Sequence, residues 1–223
     1  MENLLPKARQ IEFHPLKLAK KQELTKSTYA LEFEIPKKLA IQYQFEAGQY
    51  VTLQLQIENR IVEKDFSMTS APHEKTIALG IKINNQESFA HKLFGEIKVG
   101  DEIQVSEPRG RFTLISKPHE FRTIVGFAGG IGITPVLSHF KNILYTEPRT
   151  RLFLFYGIKN KKHIAFKKEL DELVKKHAER LEIHYFYSQE KIANGLFEGR
   201  LNEKKVALTI NKLLWLDDID EES

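Results

Sequence analysis

The 223 residues are 41% hydrophobic and 29% charged with a net charge of +4, a folded, globular balance that excludes a disordered chain and leaves room for one large or two modest domains. There is no cysteine, which excludes disulfides, thiolate-bound zinc, iron–sulfur ligation and cysteine nucleophiles within these residues, and no apolar run is long enough to span a membrane. The opening MENLLPKARQ lacks the apolar core of a secretory leader, so the expectation is a cytoplasmic protein, and the one basic run, Lys159 to Lys168, reads as a solvated loop and helix face rather than a nucleic-acid surface.

From Ile11 to about Phe112 the period is two. STYALEFEIP alternates Tyr29, Leu31, Phe33 and Ile35 against polar neighbours, and QYVTLQLQI does the same with Val51, Leu53, Leu55 and Ile57. TIALGIKI and DEIQV follow as shorter strands, with turns at Ala47-Gly48, Pro72-His73 and Gly100-Asp101. A short helix is expected near Ser88, with Phe89, Leu93 and Ile97 on one face. Short strands at this spacing predict an antiparallel sandwich or barrel.

After about residue 115 the period changes. TIVGF is a short apolar strand, AGGIGITP a glycine loop, and the next stretch a helix with Thr134 as cap, Pro135 at its first position and Val136, Leu137, Phe140, Ile143 and Leu144 buried. RLFLFY is apolar throughout, as a strand covered on both faces should be. IAFKKELDELVKKHAERL reads as one helix, carrying Phe166, Leu170, Leu173, Val174, His177 and Leu181 on one face. LEIHYFY is a third strand, and NEKKVALTINKLLW a helix capped by Asn202. Alternating strands and helices predict a parallel sheet, hence two domains, 1–115 and 116–223.

The glycine loop stands between a strand and a helix, where free amides and the positive end of the helix dipole face a ligand. It is not a full dinucleotide fingerprint, since Pro135 falls where a third glycine would, and alone it is compatible with either a phosphate cradle or a tight turn.

KDFSMTSAP, FEAGQYVTL, EPRGRFTL, AGGIGITP and LFYGIKNKKHIAFKKEL occur in the order found in the ferredoxin–NADP reductase family of flavoproteins. The chain resembles that family over about residues 11 to 216, and its opening FHPL is similar to the phenylacetyl-CoA oxygenase reductase type. The resemblance implies a six-stranded antiparallel Greek-key barrel that binds FAD, followed by an α/β parallel-sheet domain that binds NAD(P)H. In the flavin signature Lys64 stands for arginine and Phe66 for tyrosine; by resemblance Lys64 faces the flavin pyrophosphate, Phe66 lies against the ring system and Ser67 reaches towards N5. Ser70, Lys82 and Ser88 are implied as further flavin contacts, and Gly129, Gly130, Ile131, Gly132 and Thr134 as the cradle of the nicotinamide dinucleotide. Lys159 and Ser188 fall at its adenosine end, where NADH and NADPH are told apart, while Ser67 and Thr134 orient the hydride transfer. No metal ligand set stands out.

The family continues with a further strand, and in the nearest type with an iron–sulfur domain, so a cluster is expected only beyond residue 223. The implied function is a flavin-dependent reductase passing electrons from NAD(P)H to a one-electron acceptor such as an iron–sulfur centre, in cis or in trans, without nucleic-acid or membrane partners. Two alternatives stay open: a flavin- or nucleotide-binding regulatory module without turnover, and a siderophore or free-flavin reductase.

Overall fold

The computed structural model describes residues 11–57, 59–83, 89–191 and 197–220, with side chains described as far as residue 211. Six strands form the first half: β1 Phe13–Thr25, β2 Thr28–Glu34, β3 Tyr50–Ile57, β4 Arg60–Ser67, β5 Thr76–Lys82 and β6 Glu102–Ser106. They pair antiparallel in the order β4-β3-β6-β1-β2-β5. The chain just past β4 closes the sheet on itself, since Met68 bridges Leu79 of β5 and the Thr69 N–H donates to Ala78 O at 2.7 Å. Inward residues of alternate positions, among them Leu31, Phe33, Val51, Leu53, Leu79 and Val105, make one core with the helix α1 Phe89–Glu96 packed on it through Phe89 and Leu93.

The second half is a parallel sheet, β7 Arg122–Gly129, β8 Thr150–Ile158 and β9 Leu181–Tyr187, in that order. Helices α2 Ile133–Thr146 and α3 Lys167–Lys176 connect its strands, and α4 Glu203–Asp220 follows. β8 is the middle strand and buries both faces, which is why its sequence shows no alternation. No helix among the described residues is long and apolar enough to cross a membrane.

Three local expectations need correction. Thr134 does not cap α2: the glycine loop folds as a 3₁₀ turn over Gly130–Gly132 that runs directly into a helix beginning at Ile133, and the Thr134 hydroxyl donates instead to Ile131 O at 3.2 Å. Pro135 is accordingly the third helical residue. The third correction concerns α3, which starts at Lys167 because Phe166 sits in the left-handed region (φ 58) and turns Ile164, Ala165 and itself into the core. It ends at Lys176, so His177 is its C-terminal cap and Leu181 opens β9. Asn202 does cap α4, accepting from the Lys205 N–H at 3.1 Å.

Candidate functional site

β7, β8 and β9 end on the same side, and their carboxyl ends border an open cleft of about 490 Å³. Gly129 and Gly130 form its wall at β7, Gly157 and Lys159 at β8, and Ser188 beyond β9. This is where open α/β sheets take their ligands. Two backbone bonds lock the rim, Ser188 N to Ile158 O at 2.9 Å and Gln189 N to Lys159 O at 2.8 Å. Beneath the loop the buried Tyr156 hydroxyl donates to Gly130 O at 2.8 Å. Burial pushes that phenol well above its ordinary range, so it stays a donor.

The glycines have a specific meaning. A Cβ placed on Gly129, Gly130 or Gly132 would meet no heavy atom within 4 Å. Only Gly130 (φ 51) needs a glycine's backbone, whereas Gly129 (φ −127) and Gly132 (φ −61) adopt dihedrals open to any residue. Neither packing nor conformation therefore accounts for two of the three, and the backbone there faces open space. No side chain caps α2; its first amide, the Ile133 N–H, is held by Gly130 O of the 3₁₀ turn that leads into it.

Cations stand around the same cleft. Lys159 is exposed and forms no ion pair among the described residues, while Lys161 is tied to Glu190 at 3.6 Å. Arg200, which sequence reasoning missed, also lines the cleft. It is carried there by Gly199, whose N–H donates to Tyr187 O at 2.7 Å and whose φ of 82 turns the chain back past the end of β9. The readable signal was a glycine followed by a cation, too common a pair to single out.

The barrel contributes differently. Lys64 and Phe66 share one face of β4, paired with Leu53 and Val51, and Ser67 pairs with Tyr50 on the other. Lys64 is exposed, and Phe66 is half-buried with its ring 6.0 Å from that of Phe89. The intervening Asp65 points away, held by the Thr52 hydroxyl at 2.6 Å and by Arg109 at 3.5 Å, so its charge is spent on the far face. Lys82 reaches the second half, bordering a crevice of about 40 Å³ with Gly130, Ile131 and Lys159.

Two of the expected contacts are enclosed. Ser70 is fully buried, its hydroxyl accepting from the Ala78 N–H at 3.1 Å and its carbonyl from the Ser138 hydroxyl at 2.6 Å. Thr134 is buried with its methyl close over Gly80, where a Cβ would come within 2.5 Å of it. Ser88 lies outside the described residues. The structure thus gathers Gly129, Gly130, Lys159 and Ser188 round one cleft and Lys82 beside it, and keeps Lys64, Phe66 and Ser67 together on β4.

Residues 15–114 match the model of an oxidoreductase FAD-binding domain, and residues 127–217 that of an oxidoreductase NAD-binding domain. The chain is 27% identical to a component of the 1,2-phenylacetyl-CoA epoxidase of Escherichia coli (strain K12), over 87% of its own length and 54% of the relative's. It is 30% identical to NADH-cytochrome b5 reductase 1 of Candida glabrata, over 78% of its length and 61% of the relative's. It therefore spans rather more than half the length of these curated relatives. Among solved structures, the CS-b5R domains of human Ncb5or in the NAD+ form superpose with a TM-score of 0.77 at 23% identity, covering 92% of this chain and 60% of that one. Ferredoxin-NADP+ reductase from Plasmodium falciparum with 2'P-AMP gives 0.71 at 19%, covering 80% and 75%; at these identities the likeness concerns the fold. The match of the antiparallel sheet to an FAD-binding domain and of the parallel sheet to an NAD-binding domain makes this chain a member of the ferredoxin–NADP reductase-like family of FAD- and NAD-binding oxidoreductases.

Proposed function

We propose that the protein carries electrons from NAD(P)H through FAD to a one-electron acceptor, an iron–sulfur centre of the ferredoxin type in an oxygenase system. Residues 1–115 would bind the flavin and 116–223 the nicotinamide dinucleotide. The observation that carries this reading is the glycine cradle: Gly129 and Gly132 have nothing within 4 Å of a would-be Cβ, beside Lys159, which forms no ion pair among the described residues. The likeness to a phenylacetyl-CoA epoxidase component supports the choice of acceptor.

Lys64, Phe66 and Ser67 would hold an FAD that supplies the exchange between a two-electron hydride donor and a one-electron acceptor. The chain's own contribution is position. The Lys64 ammonium is suited to the pyrophosphate, as a point charge rather than the bidentate fork of an arginine, and Phe66 offers a flat apolar face without a hydroxyl. Ser67 supplies a hydroxyl on the neighbouring residue. Gly129 to Gly132 let the backbone approach the dinucleotide, and Lys159, Arg200 and Ser188 meet its adenosine end with two cations and a hydroxyl. No side chain needs to act as nucleophile; alignment of donor and acceptor supplies the rate.

The test is direct. Protein incubated with FAD and freed of excess should keep a perturbed flavin spectrum that NADH or NADPH bleaches anaerobically. The reduced protein should then reduce a ferredoxin-type acceptor faster than ferric chelates or free flavin. Retained flavin without bleaching would instead indicate a binding module, and preference for ferric chelates a reductase of another class.

A further inference from the structure

Helix α2 begins at the glycine cradle, and its middle is stitched to the barrel. The Ser138 hydroxyl donates to Ser70 O at 2.6 Å and accepts from the Gly48 N–H at 3.4 Å; His139 Nε2 donates to Phe112 O at 2.8 Å. Nearly two turns further, the His73 ring of the barrel stacks on Tyr145 at 3.9 Å. Between these contacts lies Lys141, whose side chain is only 9% exposed. Its ammonium sits 2.7 Å from Glu74 Oε2 of the barrel and 3.0 Å from Glu169 Oε1 of α3.

Apolar packing crosses this seam where Thr134 and Phe166 lie over Gly80 and where Leu24 and Ala30 meet the second core, but beside Lys141 it does not close. A cavity of about 450 Å³ opens between the halves, bordered by Lys141, Glu74, Glu169 and Phe166. Halves joined in this way move relative to each other unless discrete bonds fix them. A desolvated ammonium held between two carboxylates is such a bond, because removing one partner leaves a buried charge poorly compensated. Lys141 lies seven residues beyond Thr134, roughly 10 Å along the same rigid helix. Any shift of the seam is therefore carried to the cradle.

We infer that Lys141 is a positioning residue for hydride transfer: through Glu74 it fixes how the nicotinamide-binding half seats on the flavin-binding half. The inference rests on the reductase reading above. Of its two arms, the one to Glu74 crosses between the halves and the one to Glu169 stays within the second. The two carboxylates are almost equally exposed, at 36% and 37%, so a merely stabilising role would feel the loss of either alike.

The experiment compares Glu74→Gln with Glu169→Gln; the amide oxygen in the former can still accept from the Ala71 N–H, which Glu74 now holds at 2.7 Å. Flavin-loaded proteins are reduced with NADH and NADPH in an anaerobic stopped flow. E74Q should lower the limiting rate of flavin reduction about tenfold, with FAD and nicotinamide affinities within about threefold, and E169Q should leave the rate near wild type. A second readout needs no cofactor. The chain has no cysteine, so spin labels at Glu102→Cys and Lys175→Cys, one on each half, report their separation by pulsed resonance. E74Q should broaden or shift that distance distribution and E169Q should not. Equal effects of the two variants, or none, on rate and distance overturn the role of Lys141 while leaving the reductase reading intact. A wild-type protein that binds flavin but is not reduced overturns the reductase reading itself, and the role with it.

Discussion

Replacing Gly132 by alanine should raise stability and weaken nicotinamide binding together. The new methyl meets no protein atom within 4 Å, and the residue's dihedrals (φ −61, ψ −4) are those of a helix, which alanine adopts more readily than glycine. The usual cost of alanine before a helix arises from extended caps whose side chain accepts a bond, and no such bond exists here. Restricting the unfolded chain should then stabilise the protein by about 0.5 kcal/mol, a rise of roughly 1–2 °C in Tm for a chain of this size. The same methyl occupies the space in which the proposed dinucleotide approaches the backbone, and at least a tenfold loss of affinity, about 1.4 kcal/mol, is expected. Thermal unfolding of the free protein and an NADH titration of the flavin-loaded one measure the two halves of the prediction. Undiminished NADH affinity would refute the cradle, and a fall in Tm would refute the claim that no packing requires the glycine.

Gly48→Ala should behave in the opposite way, losing about 3 kcal/mol in chemical denaturation, because the residue has φ +89 and its Cβ would fall 1.9 Å from Phe112 O and 2.2 Å from His139 Nε2; a wild-type midpoint would contradict the packing described. Acid should weaken the protein in two steps. Burial lowers the pKa of His139, so the neutral ring that donates to Phe112 O contributes stability fully present above about pH 6.5 and lost as pH falls below it. Burial alone would raise Glu147, but the Arg122 guanidinium, the Thr150 hydroxyl and the Lys117 N–H outweigh it and hold the carboxyl below its ordinary value of 4.5. Its contribution is therefore present above about pH 4.5 and lost as pH drops through the lowered value, and Glu147→Gln should flatten stability against pH in that lower window alone.

How far the sequence could be read varies element by element. β2 and β3 were legible because each buries one face and solvates the other, so the chain must alternate. β1 was hidden by its polar side chains: Lys17, Lys20, Lys21, Gln22 and Glu23 lie along a strand of 13 residues whose buried positions are only Leu16 and Leu18. The apolar stripe of α2 was read correctly, yet nothing local marked Ser138, His139 and Lys141 beside it as buried. They are buried by the barrel, a neighbour that no local pattern reveals. Phe166 misled for a related reason, since its place in the helical period is overridden by the close approach of its ring to Gly80. The glycine loop was visible as a motif, but only the empty space around it separates a cradle from a turn. Arg200 was illegible because its position depends on a left-handed glycine and a single backbone bond to β9.

The stitching of α2 also limits how modular this two-part chain can be. Exchanging the nicotinamide half for that of a relative, cut in the stretch between β6 and β7, transplants Ser138, His139 and Lys141 without Gly48, Ser70 and Glu74, the positions shaped to receive them. A chimera of that kind inherits two intact sheets and a mismatched joint. Grafts that carry both sides of the joint together should work better than grafts that respect only the boundary in the sequence.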